Sequence, residues 1–455
     1  VNKRVSEKGV KIFVSSDTMY YNEIINGEKP KSGLIHRFKN KLYPSKFNLR
    51  NKIWGQIKVS LNNIRFLKKR IYNLNKVFYK SNSFLSLYGS PGRDLETYAK
   101  LNQRNIRYIQ PKFSNIKSQV GLDDIDRIVQ KLVKGISKIG LDHDLELTSE
   151  NQEYLRSITF SLFKEVYQYI YSLLDYFKKK KSRTLLIGAL GGSTYRCMAS
   201  AARLSGVKVF GATHGNVVGI HKSKNQAMID LAIVDNYIVP SLSSVQLYKK
   251  TVARFLPENL NSRLNITSIN TKYFNNLYQN HQEKKIPKFI KTIILVEYPL
   301  TEFRHNVFSF WPYQLDLMIQ VGLFLKEQGI KTVMKAHPDR IKESKGVYDN
   351  YFDEVITDPF EKVYDKYDAI FFMNITSTTF GFSLTTKKPI LLFKTMLDDV
   401  YEEPKKLLKK RCNIIPSKLD MEGRLNFDKK MFKNILIDTP QEPSKDFLEE
   451  YMNII

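Results

Sequence analysis

The feature that most constrains the fold of this chain is an alternation of short apolar segments with helical segments. In the first half, the apolar run Thr184–Leu190 is followed by a Gly-rich turn, the Ala-rich stretch Tyr195–Leu204 and a second apolar run, Val207–Ala212. Strands that alternate with helices in this way pair in parallel, because a crossover helix returns the chain to the same end of the sheet. The alternation therefore predicts an α/β fold with a doubly wound sheet.

The same alternation returns, more regularly, in the second half of the chain. The predicted strands are Thr292–Glu297, Thr332–Lys335, Ala369–Met373 and Pro389–Phe393, and the predicted helices are Tyr313–Gln328 and a short helix near Thr379–Thr385. A chain of 455 residues is longer than one hydrophobic core ordinarily supports. We therefore predict two Rossmann-like lobes instead of one large sheet.

A charged segment separates the two patterned regions. Residues 281–291 contain Pro287 and several lysines, which is typical of an interdomain linker. We predict a first lobe of residues 1–280 with a basic N-terminal extension, a linker of residues 281–291 and a second lobe of residues 292–442. The last residues, 443–455, are predicted to form a helix that crosses back to the first lobe.

The cysteine content and the hydropathy of the sequence indicate the cellular compartment in which the protein works. The two cysteines, Cys197 and Cys412, lie far apart and in no metal-ligand spacing, so the sequence suggests neither a disulfide framework nor a zinc site. The sequence also lacks an apolar run long enough for a membrane span and the apolar start of a signal peptide. We therefore expect a cytoplasmic protein.

The chain is strongly basic, with a formal net charge of +28 and a pI of about 9.7. Its basic clusters are dispersed, at Lys68–Arg70, Lys178–Lys181 and Lys405–Arg411, whereas nucleic-acid-binding proteins concentrate charge in one stripe. Dispersed charge favours an anionic membrane surface over nucleic acid. We expect peripheral association with the inner face of the plasma membrane; ordinary solvated lysine faces are the alternative.

Ligands of open α/β sheets bind beyond the carboxyl ends of the strands, so the residues after each predicted strand are candidate site residues. The motif at the end of the strand Thr332–Lys335 consists of Lys335, Ala336, His337 and Pro338. An ammonium and an imidazole can donate hydrogen bonds to a phosphate, and the proline restricts the turn that carries His337. The alternative is a surface loop that happens to contain a histidine.

A run of hydroxyl side chains follows the predicted strand Ala369–Met373, where the chain enters a helix. The run consists of Thr376, Ser377, Thr378 and Thr379. Several hydroxyls beside the free N–H groups of a helix start favour an anion, whereas simple capping of the helix needs only one hydroxyl. If this strand and the strand before His337 are neighbours, their ends lie about 4.8 Å apart and can hold one phosphate together.

In the first lobe, His214 follows the predicted strand Val207–Ala212, and Gly215 permits a tight backbone turn after it. An imidazole with an ordinary pKa near 6.5 suits a general base; a packed structural histidine is the alternative. Ser193 and Thr194, at the end of the Gly-rich turn, are possible substrate-binding donors on the same cleft.

Taken in order along the chain, these motifs resemble bacterial surface-polysaccharide glycosyltransferases of GT-B fold. The segments that carry the resemblance are Thr213–Gly215, Lys335–Pro338 and Thr376–Leu384 ahead of Lys387–Phe393. The group includes the capsule and lipopolysaccharide Kdo transferases and, more distantly, bacterial sialyltransferases and CDP-glycerol glycerophosphotransferases. The resemblance covers residues 180–400 approximately and rests on motif order.

The resemblance implies an α/β protein with two Rossmann-like lobes that face a cleft. It implies that Lys335, His337 and the hydroxyls of 376–379 bind the donor phosphate, and that His214 faces the reacting sugar or the acceptor. The implied donor is a CMP-activated acidic sugar such as Kdo, and the implied acceptor is a glycan or a lipid-linked glycan. No metal and no further cofactor are implied.

The catalytic carboxylate is the open part of this prediction. Glu297, at the end of the strand Thr292–Glu297, is a candidate, as are Asp230 and Asp235 in the first lobe; a structural role is the alternative for each of them. Arg304 is a further candidate, because a guanidinium can pair with an acidic sugar or a phosphate. Two other functions stay open: a CDP-polyol phosphotransferase of the CDP-glycerol glycerophosphotransferase type, and a nucleic-acid-binding protein.

Overall fold

A computed structural model describes most of the chain after residue 83. The described residues are 84–87, 92–109, 122–142, 146–178, 183–188, 193–213, 218–224, 227–270, 272–297, 311–338, 341, 346–420, 425–438 and 440–454. The predicted N-terminal extension, His214 and Arg304 lie outside them.

Within the described residues, the first lobe is built on six parallel strands. They are β1 (Phe84–Leu87), β2 (Ile106–Ile109), β3 (Thr184–Ile187), β4 (Lys208–Ala212), β5 (Asn236–Val239) and β6 (Asn265–Ser268). Their order in the sheet is β2-β1-β3-β4-β5-β6, and every neighbouring pair is parallel. The chain therefore changes direction across the sheet between β1 and β3.

Helices connect these strands. They are α1 (Gly92–Leu101), α2 (Leu122–Asp142), α3 (Ser149–Lys178), α4 (Ser193–Leu204), α5 (Leu242–Phe255), α6 (Glu258–Asn261) and α7 (Tyr273–Gln282). Helix α4 follows the Ala-rich pattern, and its buried face includes Met198, Ala199 and Ala202. Small side chains on this face allow the helix to pack closely on the sheet.

The second lobe has its own parallel sheet, with six strands among the described residues. The strands are β7 (Thr292–Val296), β8 (Lys331–Lys335), β9 (Glu354–Ile356), β10 (Ala369–Phe372), β11 (Ile390–Phe393) and β12 (Asn413–Ile415), and a hairpin of β13 (Ser417–Leu419) and β14 (Leu425–Phe427) follows. The sheet order is β12-β11-β10-β7-β8-β9. This is the order of a dinucleotide-binding Rossmann sheet, with its reversal between β7 and β10.

The helices of the second lobe among the described residues include α8 (Trp311–Glu327), α9 (Phe360–Val363), α10 (Thr378–Leu384), α11 (Glu402–Arg411), α12 (Lys429–Ile437) and α13 (Asp446–Met452). All four residues of β10 and of β11 are buried. Central strands covered by helices on both faces need apolar side chains on both faces, which is why they read as unbroken apolar runs in the sequence.

The α/β fold class with two doubly wound lobes, predicted from the sequence, is confirmed by these two sheets. No described helix has both the length and the apolar character needed to cross a membrane.

The two lobes meet through backbone and helix contacts. His221 and Val400 form an antiparallel bridge, flanked by hydrogen bonds from Lys222 N to Asp399 O at 2.7 Å and from Tyr401 N to Ile220 O at 2.9 Å. Helix α13 of the second half of the chain returns to the first lobe, where the Ser244 hydroxyl on α5 donates to the Tyr451 carbonyl at 3.3 Å. Helix α7 packs on the second-lobe core through Phe274.

The histidine at this junction gives a testable pH dependence. Burial lowers the pKa of His221 to about 4, against the opposing charge of Asp399. Because an unfolded histidine has a pKa near 6.5, the unfolded chain binds a proton first as the pH falls below 6.5. His221 should therefore cost stability progressively from pH 6.5 down to about 4, by roughly 2 kcal/mol at pH 5.

Urea unfolding at pH 7 and at pH 5 measures the contribution of His221 to the free energy of unfolding, and His221→Gln is the comparison. The wild-type protein should lose more unfolding free energy than the variant between the two pH values. Equal losses in the two proteins would show that His221 does not contribute to the loss of stability at low pH.

Candidate functional site

The reversal of chain direction in the second sheet defines the candidate site. The chain continues from β7 to β8 on one side and from β10 to β11 on the other, and ligands of such sheets bind at this reversal, beyond the carboxyl ends of the strands. Glu297 follows β7 directly, and the segment Asn374–Thr379 follows β10. We call the carboxyl ends of β7 and β10, together with Glu297 and the segment Asn374–Thr379, the switch-point edge.

The expectation that the His337 motif and the hydroxyl run follow neighbouring strands is wrong. His337 follows β8, and β7 lies between β8 and β10 in the sheet. The two strand ends are therefore separated by two strand spacings, or roughly 10 Å. A ligand that contacts both must be longer than one phosphate group, such as a diphosphate or a phosphate joined to a sugar.

Strand β7, which lies between β8 and β10, is followed by a carboxylate that holds the His337 turn in place. One oxygen of Glu297 accepts the backbone N–H of His337 at 2.6 Å, and the other accepts the Tyr348 hydroxyl at 2.9 Å. Glu297 is 3% exposed, and burial together with this carboxylate raises the pKa of Tyr348 well above its usual range. In this geometry Glu297 positions His337, while its role as a catalytic group stays a prediction.

Tyr348 was not found from the sequence. It stands 51 residues beyond Glu297 and lies in no strand-end motif. Only the folded chain brings its hydroxyl to the carboxylate.

Lys335 points its ammonium into the protein. It is 5% exposed, and its Nζ donates to the Ala336 carbonyl at 2.6 Å. Burial lowers its pKa, partly offset by the charge of Glu297. The imidazole of His337, which is half-buried, is thus the group of this motif nearer to solvent.

The hydroxyl run divides into groups with different surroundings. Ser377 is the N-cap of α10, and its oxygen accepts from Phe380 N at 3.0 Å. The Thr376 backbone N–H and hydroxyl both donate to the Asn374 side chain. Thr378 is exposed and Thr379 is half-buried. Ser377 therefore performs the capping role that was the alternative interpretation, and Thr378 is the hydroxyl most open to a ligand.

In the first lobe, Ser193 is exposed and Thr194 half-buried at the start of α4, directly after the β3 connection. This position is next to the β1–β3 reversal of the first sheet. Asp235 accepts from Arg203 Nε at 3.0 Å and from Val209 N at 2.9 Å, so both of its oxygens have structural partners. Asp230 lies in the short helical segment Ala227–Leu231.

No group of three or more His, Cys, Asp or Glu side chains in the described part of the chain is placed to hold a metal ion.

No protein-family model and no curated protein matches the sequence. Among solved structures, the chain is similar to UDP-N-acetylglucosamine 2-epimerase from Rickettsia bellii, with 11% identity and a TM-score of 0.42 over 80% of this chain and 88% of that one. It is also similar to UDP-GlcNAc 2-epimerase from Methanocaldococcus jannaschii, with 13% identity and a TM-score of 0.37 over 79% and 93% of the two chains. The enzyme from Neisseria meningitidis bound to UDP-GlcNAc gives 13% identity and a TM-score of 0.36 over 72% and 78%.

The class of the protein follows from its own strand orders. Two doubly wound parallel lobes in one chain form a GT-B-like architecture.

Proposed function

We propose that this chain is an enzyme that binds a nucleotide-activated sugar at the switch-point edge and transfers the sugar to a glycan acceptor. The observation that carries the proposal is the Rossmann strand order of the second sheet, whose reversal point is flanked by the His337 imidazole and the exposed Thr378 hydroxyl. Both side chains can donate hydrogen bonds to phosphate oxygens.

The identity of the donor and of the acceptor is proposed from the motif resemblance. We propose a CMP-linked acidic sugar such as Kdo as the donor and a bacterial surface glycan as the acceptor. His214 is proposed to act from the first lobe as the general base or as a contact to the reacting sugar. No metal is proposed to take part.

A thermal stability screen of the full chain with CMP, CDP, UDP and GDP tests the proposal and identifies the base. A ligand at 100 times its dissociation constant adds about 2.7 kcal/mol to the free energy of unfolding, so the correct nucleotide should raise the melting temperature clearly above the others. Absence of stabilisation by all four at millimolar concentration contradicts a nucleotide-dependent enzyme.

We propose that the protein reaches its acceptor at an anionic membrane surface, and that helix α2 contacts this surface. Its inner face, with Ile125, Val129 and Val133, is buried. A second apolar stripe is exposed on the same helix: Ile128 at 38%, Leu132 at 40%, Ile136 at 38% and Ile139 at 61%. Exposed lysines accompany the second half of this stripe at positions 131, 134 and 138. Apolar side chains beside lysines on one helix suit an interfacial position on anionic lipid.

Lysines near an anionic surface contribute about 1 kcal/mol each. The double change Lys134→Gln/Lys138→Gln should therefore weaken binding to phosphatidylserine-containing vesicles by roughly 30-fold, and added salt should weaken wild-type binding. The control is Lys429→Gln/Lys430→Gln on α12, which removes the same charge from another exposed site. Equal loss in both variants, measured by vesicle sedimentation, would contradict a specific role for α2.

A further inference from the structure

A buried amide with no partner lies at the start of α8. Gln314 is 3% exposed, and neither its Nε2 nor its Oε1 has a hydrogen-bond partner in the structure of the described residues. Leaving a buried polar group unpaired is costly, and such groups are rare in native proteins. A ligand that supplies the missing partners is a direct explanation for keeping a glutamine there.

The position of α8 directs this amide towards the switch-point edge. The helix follows β7 and returns along the sheet, so its first turn lies at the carboxyl end of the strands. Met318, four residues later and so on the same side of the helix, has its sulfur 3.8 Å from the Tyr348 hydroxyl. That hydroxyl binds Glu297 at the end of β7.

Gln314 lies four residues before Met318, or about 6 Å nearer to the start of the helix. Because the N-terminus of α8 lies at the carboxyl end of the strands, this spacing places Gln314 nearer to the switch-point edge than Met318. The first turn of α8 also contributes the backbone N–H groups of Trp311 and Tyr313, although Pro312 has none, and N–H groups at a helix start favour an anion. Helix α8 has 17 residues, so its peptide dipoles add to this preference.

We infer that Gln314 binds a sugar hydroxyl of the ligand held at the switch-point edge, an inference that rests on the proposed function. An amide needs one partner that accepts and one that donates. A phosphate oxygen only accepts, whereas a hydroxyl does both. The first turn of α8 then holds the phosphate, and Gln314 holds the adjoining sugar ring, either the ribose or the transferred sugar.

The test uses Gln314→Met, which keeps the length of the side chain and removes its hydrogen-bonding groups. In the ligand-free protein this change should raise the melting temperature, because an unpaired buried amide is replaced by an apolar group. Affinity for the nucleotide sugar, measured by titration calorimetry, should fall by roughly 10-fold to 100-fold, as expected for two lost hydrogen bonds. Gln314→Leu is the second variant if the methionine variant does not fold.

The matched control is Gln320→Met on the same helix, because the Gln320 amide already donates to Asp316 at 2.7 Å. It should not raise the melting temperature and should leave ligand affinity within twofold. Titrations with CMP and with a CMP-linked sugar, or with UDP and a UDP-linked sugar if the screen selects UDP, locate the contact. A loss with both ligands assigns it to the ribose, and a loss with the nucleotide sugar alone assigns it to the transferred sugar.

Wild-type binding with unchanged affinity in Gln314→Met overturns the inference and leaves the proposed function standing. A lower melting temperature of the ligand-free variant also overturns it, because the amide would then have a partner in the protein. Failure of the wild-type chain to bind any of these nucleotides or nucleotide sugars overturns the proposed function and this inference together.

Discussion

Glu297→Ala is expected to destabilise the second lobe and to weaken nucleotide binding at the same time. The change leaves the buried Tyr348 hydroxyl and the His337 N–H without the carboxylate that accepts from both. Each unsatisfied group costs about 1–3 kcal/mol, so the free energy of unfolding should fall by roughly 3 kcal/mol. Because the His337 turn loses its anchor, nucleotide affinity should fall by about 10-fold to 150-fold, as when the His337 contact itself is lost.

Glu297→Gln separates the two effects. An amide has the same shape and can still pair with Tyr348, but it cannot accept from both groups, so the stability loss should be about half that of the alanine variant. Urea unfolding and titration calorimetry on both variants provide the measurements. A stable Glu297→Ala protein with wild-type affinity would show that this carboxylate neither anchors the turn nor serves the site.

His337→Ala is expected to weaken nucleotide binding while the Glu297 anchor of the turn is kept. A charge-assisted hydrogen bond contributes about 1.5–3 kcal/mol, which corresponds to a loss of about 10-fold to 150-fold in affinity. The backbone N–H that Glu297 holds is retained in the variant, so the turn should keep its structure. Titration calorimetry with the nucleotide selected by the stability screen measures the loss.

Thr378→Val tests the other flank of the edge without touching the Ser377 cap of α10. It should weaken binding less, by about 3-fold to 10-fold, because a neutral hydrogen bond contributes about 0.5–1.5 kcal/mol. If one ligand bridges the two residues, the losses in the double variant should depart from additivity.

The control for His337→Ala is His281→Gln. His281 is a buried histidine whose Nδ1 lies 3.0 Å from the Thr385 hydroxyl at the far end of α10. It should leave affinity unchanged. An equal loss in both histidine variants would indicate a general effect on the lobe and not a ligand contact.

The sequence predicted the central strands well because those strands are buried on both faces. The predicted Thr292–Glu297 and Pro389–Phe393 match β7 and β11 to within one residue at each end. The edge strands β9 and β12 were not predicted, since each has only three residues and a polar residue at its start. Such short, half-exposed segments carry no periodic signal.

The lateral order of the strands could not be read from the sequence. Apolar runs show which segments are strands, but pairing depends on the path of the connecting helices. The strands before His337 and before the hydroxyl run were expected to be neighbours for this reason. Strand β7 precedes both motifs in the chain and yet lies between them in the sheet. The partners of Glu297 and the isolation of Gln314 are likewise properties of tertiary packing.

The proposed function requires that a nucleotide binds at the switch-point edge of the second lobe. A crystal structure of the full chain with the nucleotide selected by the stability screen tests it most directly. We expect a phosphate beyond the ends of β7 and β10, within hydrogen-bonding distance of the His337 imidazole or the Thr378 hydroxyl. A phosphate bound elsewhere on the protein, with both side chains free of ligand, would contradict it.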